Sequence, residues 1–331
     1  MAWDLIGHDW HVSLLQQQVR RGNLRHAYLF AGPASVGRRT LALRLAQALN
    51  CSSPLSPVDP CRSCRTCKQI EAMQHADLAV VQANSPSGKL QVDQVRQLQH
   101  WCSLAPYASP YRLAVLLNFE AATLSAANAM LKTLEEPFPH VILVVTAGSP
   151  ESLLPTIVSR CELVRLQPVP VEEIQVELQQ RWELSPEQAR LYAHLSDGRP
   201  GLALRYLQDP GLMERRLAWL EEGERLMAAG WVQRFRFADS IYKDKDSLIQ
   251  LLLAWLSFWR DVLLRASASS APLVNLDRLA EVERTAAAVG FQRARAVVEA
   301  LIRTLDLLRT TNVNARLAVE VLMLDLPRLK A

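Results

Sequence analysis

The sequence predicts a parallel α/β domain followed by two helical domains, and three observations carry that prediction. Apolar segments of strand length alternate with helical patterns between residues 27 and 166, the arrangement of a parallel sheet covered by helices. The first apolar segment runs directly into a glycine-bounded loop and a helix. After Pro168 and Pro170 the strand patterns disappear, and helical periodicity continues.

Five strands and five helices are expected in the α/β domain. The strand patterns are the apolar run 26–33, which ends in a turn at Gly32-Pro33, and residues 78–82, 111–118, 140–147 and 162–166. The helical patterns are residues 10–21, 40–49, 92–102, 125–135 and 154–160. Short helices are expected at 172–181, 186–195 and 201–207, followed by a helical region from 212 to 329 that is broken near 267–272 and at Gly290. We therefore expect domains at residues 1–167, 168–210 and 211–331.

Composition is that of a globular protein. The chain has 331 residues, of which 50% are hydrophobic and 21% charged, with a formal net charge of +4. Such a mild positive charge permits contact with nucleic acid but does not argue for it. The first residues lack the basic and apolar regions of a secretory signal. The longest apolar stretch, 248–264, carries Arg260 and Asp261, so we expect a buried helix, a cytoplasmic protein and no membrane contact.

The glycine-bounded loop has the spacing of a phosphate-binding loop, G-x-x-x-x-G-K-[ST], but not its side chains. Gly32 and Gly37 stand at the correct positions, whereas Arg38 replaces the lysine and Arg39 replaces the hydroxyl residue. Thr40 comes one residue late, and one residue turns a helix by about 100°. We expect a loop that binds nucleotide weakly at most and does not hydrolyse it; the alternative is a pair of ordinary turn glycines.

The second half of an ATP site is an acidic pair at the end of a buried strand, which holds Mg²⁺. Here the third strand pattern ends in Asn118, which is uncharged, and Glu120 alone does not form a pair. Two parts of one site are therefore defective together.

Four cysteines predict a metal site in the insert 51–67. They are Cys51, Cys61, Cys64 and Cys67. Four thiolates with x2 spacing between neighbours can close a tetrahedral zinc site, and the C-x3-C-P spacing of bacterial iron–sulfur runs is absent. Disulfides are disfavoured in a reducing compartment. We expect structural Zn²⁺, with reduced free cysteines as the alternative, and we expect Cys102 and Cys161 to be inert core residues.

Arg160 lies in Ser159-Arg160-Cys161, between the last short helix and the last strand of the α/β domain. Taken alone, such an arginine forms a salt bridge or lies in solvent. The alternative is an arginine finger, a side chain offered in trans to the γ-phosphate held by a neighbouring subunit.

The motifs, taken in order, resemble those of the AAA+ subunits of the bacterial DNA polymerase III clamp loader, and the resemblance covers nearly the whole chain. They are IGH at 6–8, HAYLFAGP at 26–33, the loop at 32–40, the four-cysteine insert, AANAMLKTLEEP at 126–137, Thr146, SRC at 159–161 and NVNARLAVEVLMLDL at 312–326. The resemblance implies an AAA+ P-loop domain, a small helical lid domain and a helical collar that joins subunits into a ring.

Two types of subunit share this layout. The gamma/tau motor has an intact loop and acidic box, whereas the delta-prime type often has a damaged ATP site and retains Ser-Arg-Cys. Arg38, Arg39 and Asn118 favour the delta-prime type. The degenerate loop, Gly32 to Thr40, and Thr146 would then be remnants of a nucleotide site, and the chain would have no enzymatic activity of its own within the polymerase holoenzyme.

The resemblance also implies partners. These are the gamma/tau and delta subunits, the sliding clamp and, through the assembled complex, primed DNA. Arg160 would reach ATP bound to a neighbouring subunit. Some basic residues could face DNA phosphates, although a solvated face is the more common reason for each one: Arg20, Arg21, Arg25, Arg112 and Lys132. Apolar surface on 248–265 and 313–326 exceeds what one thin helical layer can bury. Ordinary core packing explains most of it, and the surplus is consistent with subunit contacts; the surface includes Trp255, Phe258 and Trp259.

Two other functions stay open on the residues alone. One is an active gamma/tau-type ATPase in which Arg38 substitutes for the lysine. The other is a zinc-dependent nucleic-acid-binding module that acts alone.

Overall fold

A computed structural model describes residues 3–84, 88–311 and 313–329. The chain divides into an N-terminal unit, Met1–Glu177 with Gly198–Leu202, and a C-terminal unit, Leu178–Asp197 with Ala203–Ala331. Segment 168–210 is thus shared between the units, and the three predicted domain boundaries stay a prediction. Asn312, the first residue of the last sequence motif, lies outside the described residues.

The N-terminal unit is built on a five-stranded parallel sheet. Its strands are β1 Ala27–Ala31, β2 Leu78–Val81, β3 Arg112–Leu116, β4 Val141–Ala147 and β5 Glu162–Arg165. Their order is β2-β3-β4-β1-β5, and in this register Phe30 lies beside both Thr146 and Val164. Strands β1, β3 and β4 are buried along their whole length, as expected where helices cover both faces. The predicted parallel α/β fold and all five predicted strands are confirmed.

Two apolar clusters lie on opposite faces of this sheet. The helices are α1 Asp9–Arg21, α2 Arg38–Asn50, α3 Arg65–Glu71, α4 Val92–Ser103, α5 Leu124–Glu135, α6 Pro155–Val158 and the first part of α7 Val171–Trp182, with short 3-10 turns at Phe119–Ala121 and Pro150–Ser152. Side chains of β1 alternate between the faces, so that Tyr28 and Phe30 join one cluster and Leu29 the other.

Two details of these helices differ from the sequence prediction. Helix α2 begins at Arg38, two residues before its predicted start, so Arg38 lies in the first helical turn. Helix α3 was not predicted, because its seven residues are too few to show a helical period. The Cys64 sulfur accepts a hydrogen bond from the Cys67 amide at its start, a cap that the spacing of ligand cysteines produces.

The C-terminal unit is helical. Its helices are the end of α7, α8 Pro186–Leu195, the end of α9 Pro200–Gln208, α10 Pro210–Ala228, α11 Trp231–Ile241, α12 Lys245–Ala266, α13 Leu279–Thr310 and α14 Ala315–Asp325, with a 3-10 turn at Leu276–Arg278. The predicted break after 267 and the kink at Gly290 are present. The prediction missed the breaks after Ala228 and Ile241; Asp244, which accepts bonds from the amides of Asp246 and Ser247, was an available helix-start signal.

Helix α12 forms the core of the C-terminal unit. Among the described residues it is the one helix long and apolar enough to cross a membrane by length and composition. Its side chains Leu251, Trp255 and Trp259 are buried in the main apolar cluster of this unit. Buried Asp261 accepts hydrogen bonds from the amides of Val274 and Asn275. Helix α12 therefore has the buried apolar face of a core helix, as predicted for residues 248–264.

Candidate functional site

The degenerate loop is shaped by its own protein surroundings. Gly32 N donates to the carbonyl of Ala147 at 3.1 Å, and a Cβ at Gly32 would lie 2.2 Å from the Leu166 carbonyl oxygen. Ser35, which has a φ of 66°, accepts a bond of 2.9 Å from the amide of Gly201. Gly32 is therefore required by the close passage of the chain at the end of β5, whether or not a phosphate ever binds.

Arg38 and Asn118, two of the three residues at which the sequence departs from the pattern of an ATP site, are bonded to each other. Arg38 is 7% exposed, and its Nη2 donates to Asn118 Oδ1 at 3.0 Å. Its Nη1 is buried without a hydrogen-bond partner among the described residues. Burial lowers the pKa of Arg38, which the charge of Glu120 partly opposes. The guanidinium stays protonated and lies at the strand end where a metal-binding acidic pair would be needed.

Thr146 joins the ends of β3 and β4. It is buried, and its Oγ1 accepts a hydrogen bond of 2.9 Å from the amide of Asn118. Asn118 has a φ of 51°, a conformation that asparagine tolerates better than most residues. Of the other predicted loop residues, Arg39 is exposed and Thr40 is half-buried. The structure thus brings Arg38, Asn118 and Thr146 together, which the sequence had named separately.

The four cysteines form a compact cluster of thiols. Their sulfurs all lie within 4.8 Å of one another, and Cys51 and Cys61 are 3.5 Å apart. Tetrahedral zinc with Zn–S bonds of about 2.3 Å requires sulfurs about 3.8 Å apart. Backbone amides of Cys64 and Cys67 donate to the preceding ligand sulfurs at 3.3 and 3.4 Å. The residues therefore fit a closed, four-thiolate metal site.

These hydrogen bonds favour thiolates at two of the four positions. The amide of Cys64 is the largest influence on Cys61 and lowers its pKa. Burial acts to raise the pKa of Cys64, but hydrogen bonds from Ser52 and Cys67 lower it to about 6. By contrast, burial raises the pKa of the two outlying thiols, Cys102 and Cys161, to about 12.

The cysteine insert is attached to helix α2, the helix that begins at Arg38. Gln47 Nε2 donates to the carbonyl of Cys67 at 2.8 Å, and Arg44 forms an ion pair with Glu71. Arg44 Nε also donates to the carbonyl of Trp3 at 3.0 Å. The sequence analysis missed Arg44 and Gln47; their only signal was two polar residues, three apart, on the otherwise apolar face of α2.

Arg160 lies at the surface and is already paired. Its Nη2 lies 2.6 Å from Glu135 Oε1, and its Nη1 donates to the carbonyl of Thr156 at 2.9 Å. The side chain is 35% exposed. Among the described residues, Arg160 and Arg38 share no hydrogen-bond partner. Glu135 itself was not predicted to have a role; it lies in the predicted helix 125–135 and in the family motif at 126–137.

Two of the five candidate DNA-facing residues are committed to contacts within the chain. Arg112 is buried, donates to the carbonyl of Trp101 and lies 3.4 Å from Asp77, so the suggestion that it faces DNA was wrong. Arg25 pairs with Glu162 at 3.0 Å. The remaining three are exposed: Arg20, Arg21 and Lys132.

Exposed apolar side chains in the C-terminal unit are closely spaced on α11 and α14, whereas those on α13 (Phe291, Ile302 and Leu307) lie farther apart. The α12 aromatics Trp255, Phe258 and Trp259 belong to the core. The closely spaced side chains are Trp231, Val232 and Phe235 on α11 and Leu317, Val321 and Leu324 on α14. Spacings of three and four residues place each set along one face of its helix.

The chain is similar to known replication proteins. The family model described as DNA polymerase III, delta subunit, matches residues 7–170. DNA polymerase III subunit delta' of Pseudomonas aeruginosa is 32% identical over 223 residues, 66% of this chain and 67% of that protein. The Bacillus subtilis subunit delta' is 31% identical over 186 residues, 56% of this chain and 55% of that protein, so the chain spans about half of its length.

A tau subunit and a solved structure are also similar. DNA polymerase III subunit tau of Escherichia coli is 32% identical over 176 residues, which are 53% of this chain and 27% of that protein. A gamma subunit-related protein of Thermotoga maritima aligns in structure with a TM-score of 0.42 and 17% identity, covering 95% of this chain and 97% of that one.

Proposed function

The chain belongs to the DNA polymerase III delta-prime family, and from that premise we propose that it is a clamp-loader subunit that does not hydrolyse ATP itself. The observation that carries the proposal is the hydrogen bond of 3.0 Å from the buried Arg38 side chain to the exposed Asn118. A fixed guanidinium at the end of β3 repels a divalent cation, and Asn118 supplies no negative charge to offset that repulsion. Without bound Mg²⁺ the transferring phosphoryl group loses its main electrostatic stabilisation.

The test is ATP turnover by the purified full chain. We expect turnover at the background rate with Mg²⁺ present, and no change in the Arg38→Ala variant. The second candidate, an active gamma/tau-type ATPase, is retained because the tau subunit of Escherichia coli has the same identity to this chain, 32%, as the delta' subunit of Pseudomonas aeruginosa. Robust turnover that disappears with Arg38→Ala would establish this second function and overturn the first.

We propose that Arg160 acts as an arginine finger toward ATP held by a neighbouring gamma/tau subunit. Its guanidinium is partly exposed and is held by Glu135 and the carbonyl of Thr156. These contacts support the role, because a side chain that is already held in place needs no further ordering when it meets the phosphate.

In this proposal residues 1–167 form the AAA+ domain, 168–210 the lid and 211–331 the collar. The exposed apolar faces of α11 and α14 support contacts with the other ring subunits, including delta. The ring loads the sliding clamp on primed DNA in the cytoplasm.

The finger is tested in a reconstituted clamp loader. Because arginine fingers supply about 10³-fold or more in rate, we expect Arg160→Ala to lower DNA-dependent ATP turnover by at least about tenfold. The matched control is Arg165→Ala, which removes an exposed arginine whose partner is Glu151 at 3.4 Å. Equal turnover in the two variants would contradict the finger.

We propose that the four cysteines hold a structural Zn²⁺. The ion would supply folding energy and no catalysis, since four thiolates leave no open coordination position. A chain that instead bound nucleic acid alone through this site would lose that binding on zinc removal while staying folded. Comparing DNA binding and folding of the zinc-stripped chain separates the two.

A further inference from the structure

We propose that Glu135 is a positioning residue that holds the Arg160 guanidinium in its outward orientation, an inference that rests on the proposed finger role. Glu135 is the last residue of α5, and Arg160 follows α6. Glu135 Oε1 lies 2.6 Å from Arg160 Nη2, the length of a strong charge-assisted hydrogen bond.

The backbone beneath both residues is fixed by packing. Leu134, which precedes Glu135 in α5, and Ile157 of α6 are buried in the same apolar cluster of the N-terminal unit. The amide of Arg160 donates to the carbonyl of Ile157 at 3.1 Å. The ion pair therefore joins two points that the core already holds at a set distance, and it orders the long arginine side chain between them.

The remaining donors of the guanidinium are free to serve a phosphate. An arginine carries five N–H donors in one plane. One goes from Nη2 to Glu135 and two go from Nη1, to the carbonyl of Thr156 at 2.9 Å and to Ser159 Oγ at 3.5 Å, which leaves the Nε–H and one Nη2 donor, while 35% of the side chain stays exposed. Glu135 can thus orient Arg160 and remain bound while other donors contact a neighbour's γ-phosphate.

Orientation before contact has a kinetic consequence. A side chain that is already ordered loses less conformational entropy when its target arrives, and a correctly placed charge stabilises the transition state better than a mobile one. The opposite possibility is that Glu135 competes with phosphate for Arg160. Positioning predicts slower turnover when Glu135 is removed, and competition predicts faster turnover.

The experiment uses the full chain in a reconstituted clamp loader, with DNA-dependent ATP turnover measured against ATP concentration. Because the pair is partly exposed, we expect Glu135→Ala to lower kcat by about two- to fivefold with KM unchanged. Glu135→Gln keeps an acceptor oxygen in place and is expected to recover most of the rate. Glu136→Ala, which removes the adjacent exposed carboxylate, is the matched control and is expected to be neutral.

A double-mutant cycle separates positioning from a general structural effect. In the Arg160→Ala background, Glu135→Ala should cause no further loss, because the group it orients is gone. A further loss of equal size, a rate equal to that of Glu136→Ala, or a rise in turnover would each overturn the inference. If Arg160→Ala itself leaves turnover unchanged, the proposed finger fails first, and the inference fails with it. Thermal unfolding of each variant identifies any loss that comes from misfolding.

Discussion

Arg38 and Arg160 are the same residue type in the same unit of the protein, yet their surroundings are opposite. Arg38 is 7% exposed and bonded to Asn118 just after β3, whereas Arg160 lies at the surface with its side chain 35% exposed. An arginine stays charged in both settings, so burial decides which molecule the charge can serve. The charge of Arg38 serves the fold of its own loop, and the charge of Arg160 is available to another molecule.

Zinc removal is expected to give the largest effect. It should destabilise α2, the helix that begins at Arg38, and leave α6, the helix before Arg160, largely unchanged. The cysteine insert is bonded to α2 through Gln47 and Arg44. If the ion supplies about 4 kcal/mol, its loss lowers the Tm of the N-terminal unit by about 10 °C. The rate of amide hydrogen exchange should rise in α2 and should change little in α6. Cys64→Ala should reproduce the effect and Cys161→Ala should not; equal losses in the two variants would argue against a metal.

Gly32→Ala tests whether the loop is retained as part of the fold. The added Cβ would lie 2.2 Å from a backbone oxygen of Leu166, and backbone cannot move aside cheaply. We expect a loss of about 3 kcal/mol in the free energy of unfolding. Gly230→Ala, where nothing lies within 4 Å of the added atom, should cost less than about 1 kcal/mol. Denaturant titration measures both, and a neutral Gly32→Ala would contradict the close approach.

The two arginines should also differ in their contribution to stability. Arg38→Ala removes a buried side chain together with its hydrogen bond to Asn118 and should cost about 1–3 kcal/mol. Arg160→Ala removes a partly exposed ion pair and should cost less than about 1 kcal/mol. The denaturation midpoints of the two variants, compared with the unmodified chain, provide the measurement. Equal losses of stability in the two variants would contradict the distinction between the buried Arg38 and the partly exposed Arg160.

Repair of the loop should change nucleotide affinity rather than the stability of the chain. The triple variant Arg38→Lys, Arg39→Thr and Asn118→Asp replaces the guanidinium with a compact ammonium and supplies a hydroxyl and a carboxylate for Mg²⁺. We expect a gain of at least about tenfold in Mg²⁺-ATP affinity, measured by calorimetry. Affinity that is unchanged, or insensitive to Mg²⁺, would mean that other features of the loop prevent binding.

The sequence by itself determined the sheet, most helices of the N-terminal unit, the cysteine cluster and the two damaged positions. These features depend on residues close together in the chain. The spacing of apolar residues distinguishes a helix from a strand, and the 17 positions from 51 to 67 contain all four cysteines of the cluster. Helix ends in the C-terminal unit were predicted less well, because Ala228 and Ile241 carry no proline or period change.

Tertiary structure alone decided which polar groups meet. Asn118 lies 80 residues from Arg38, and the parallel crossover connections bring them to one edge of the sheet. The same packing buries Arg112 against Asp77, which composition would place in solvent, and it sets Glu135 beside Arg160. Local pattern states which residues are charged, but only the packed fold sets how far each charge lies from water and from its partner, and that distance determines its function.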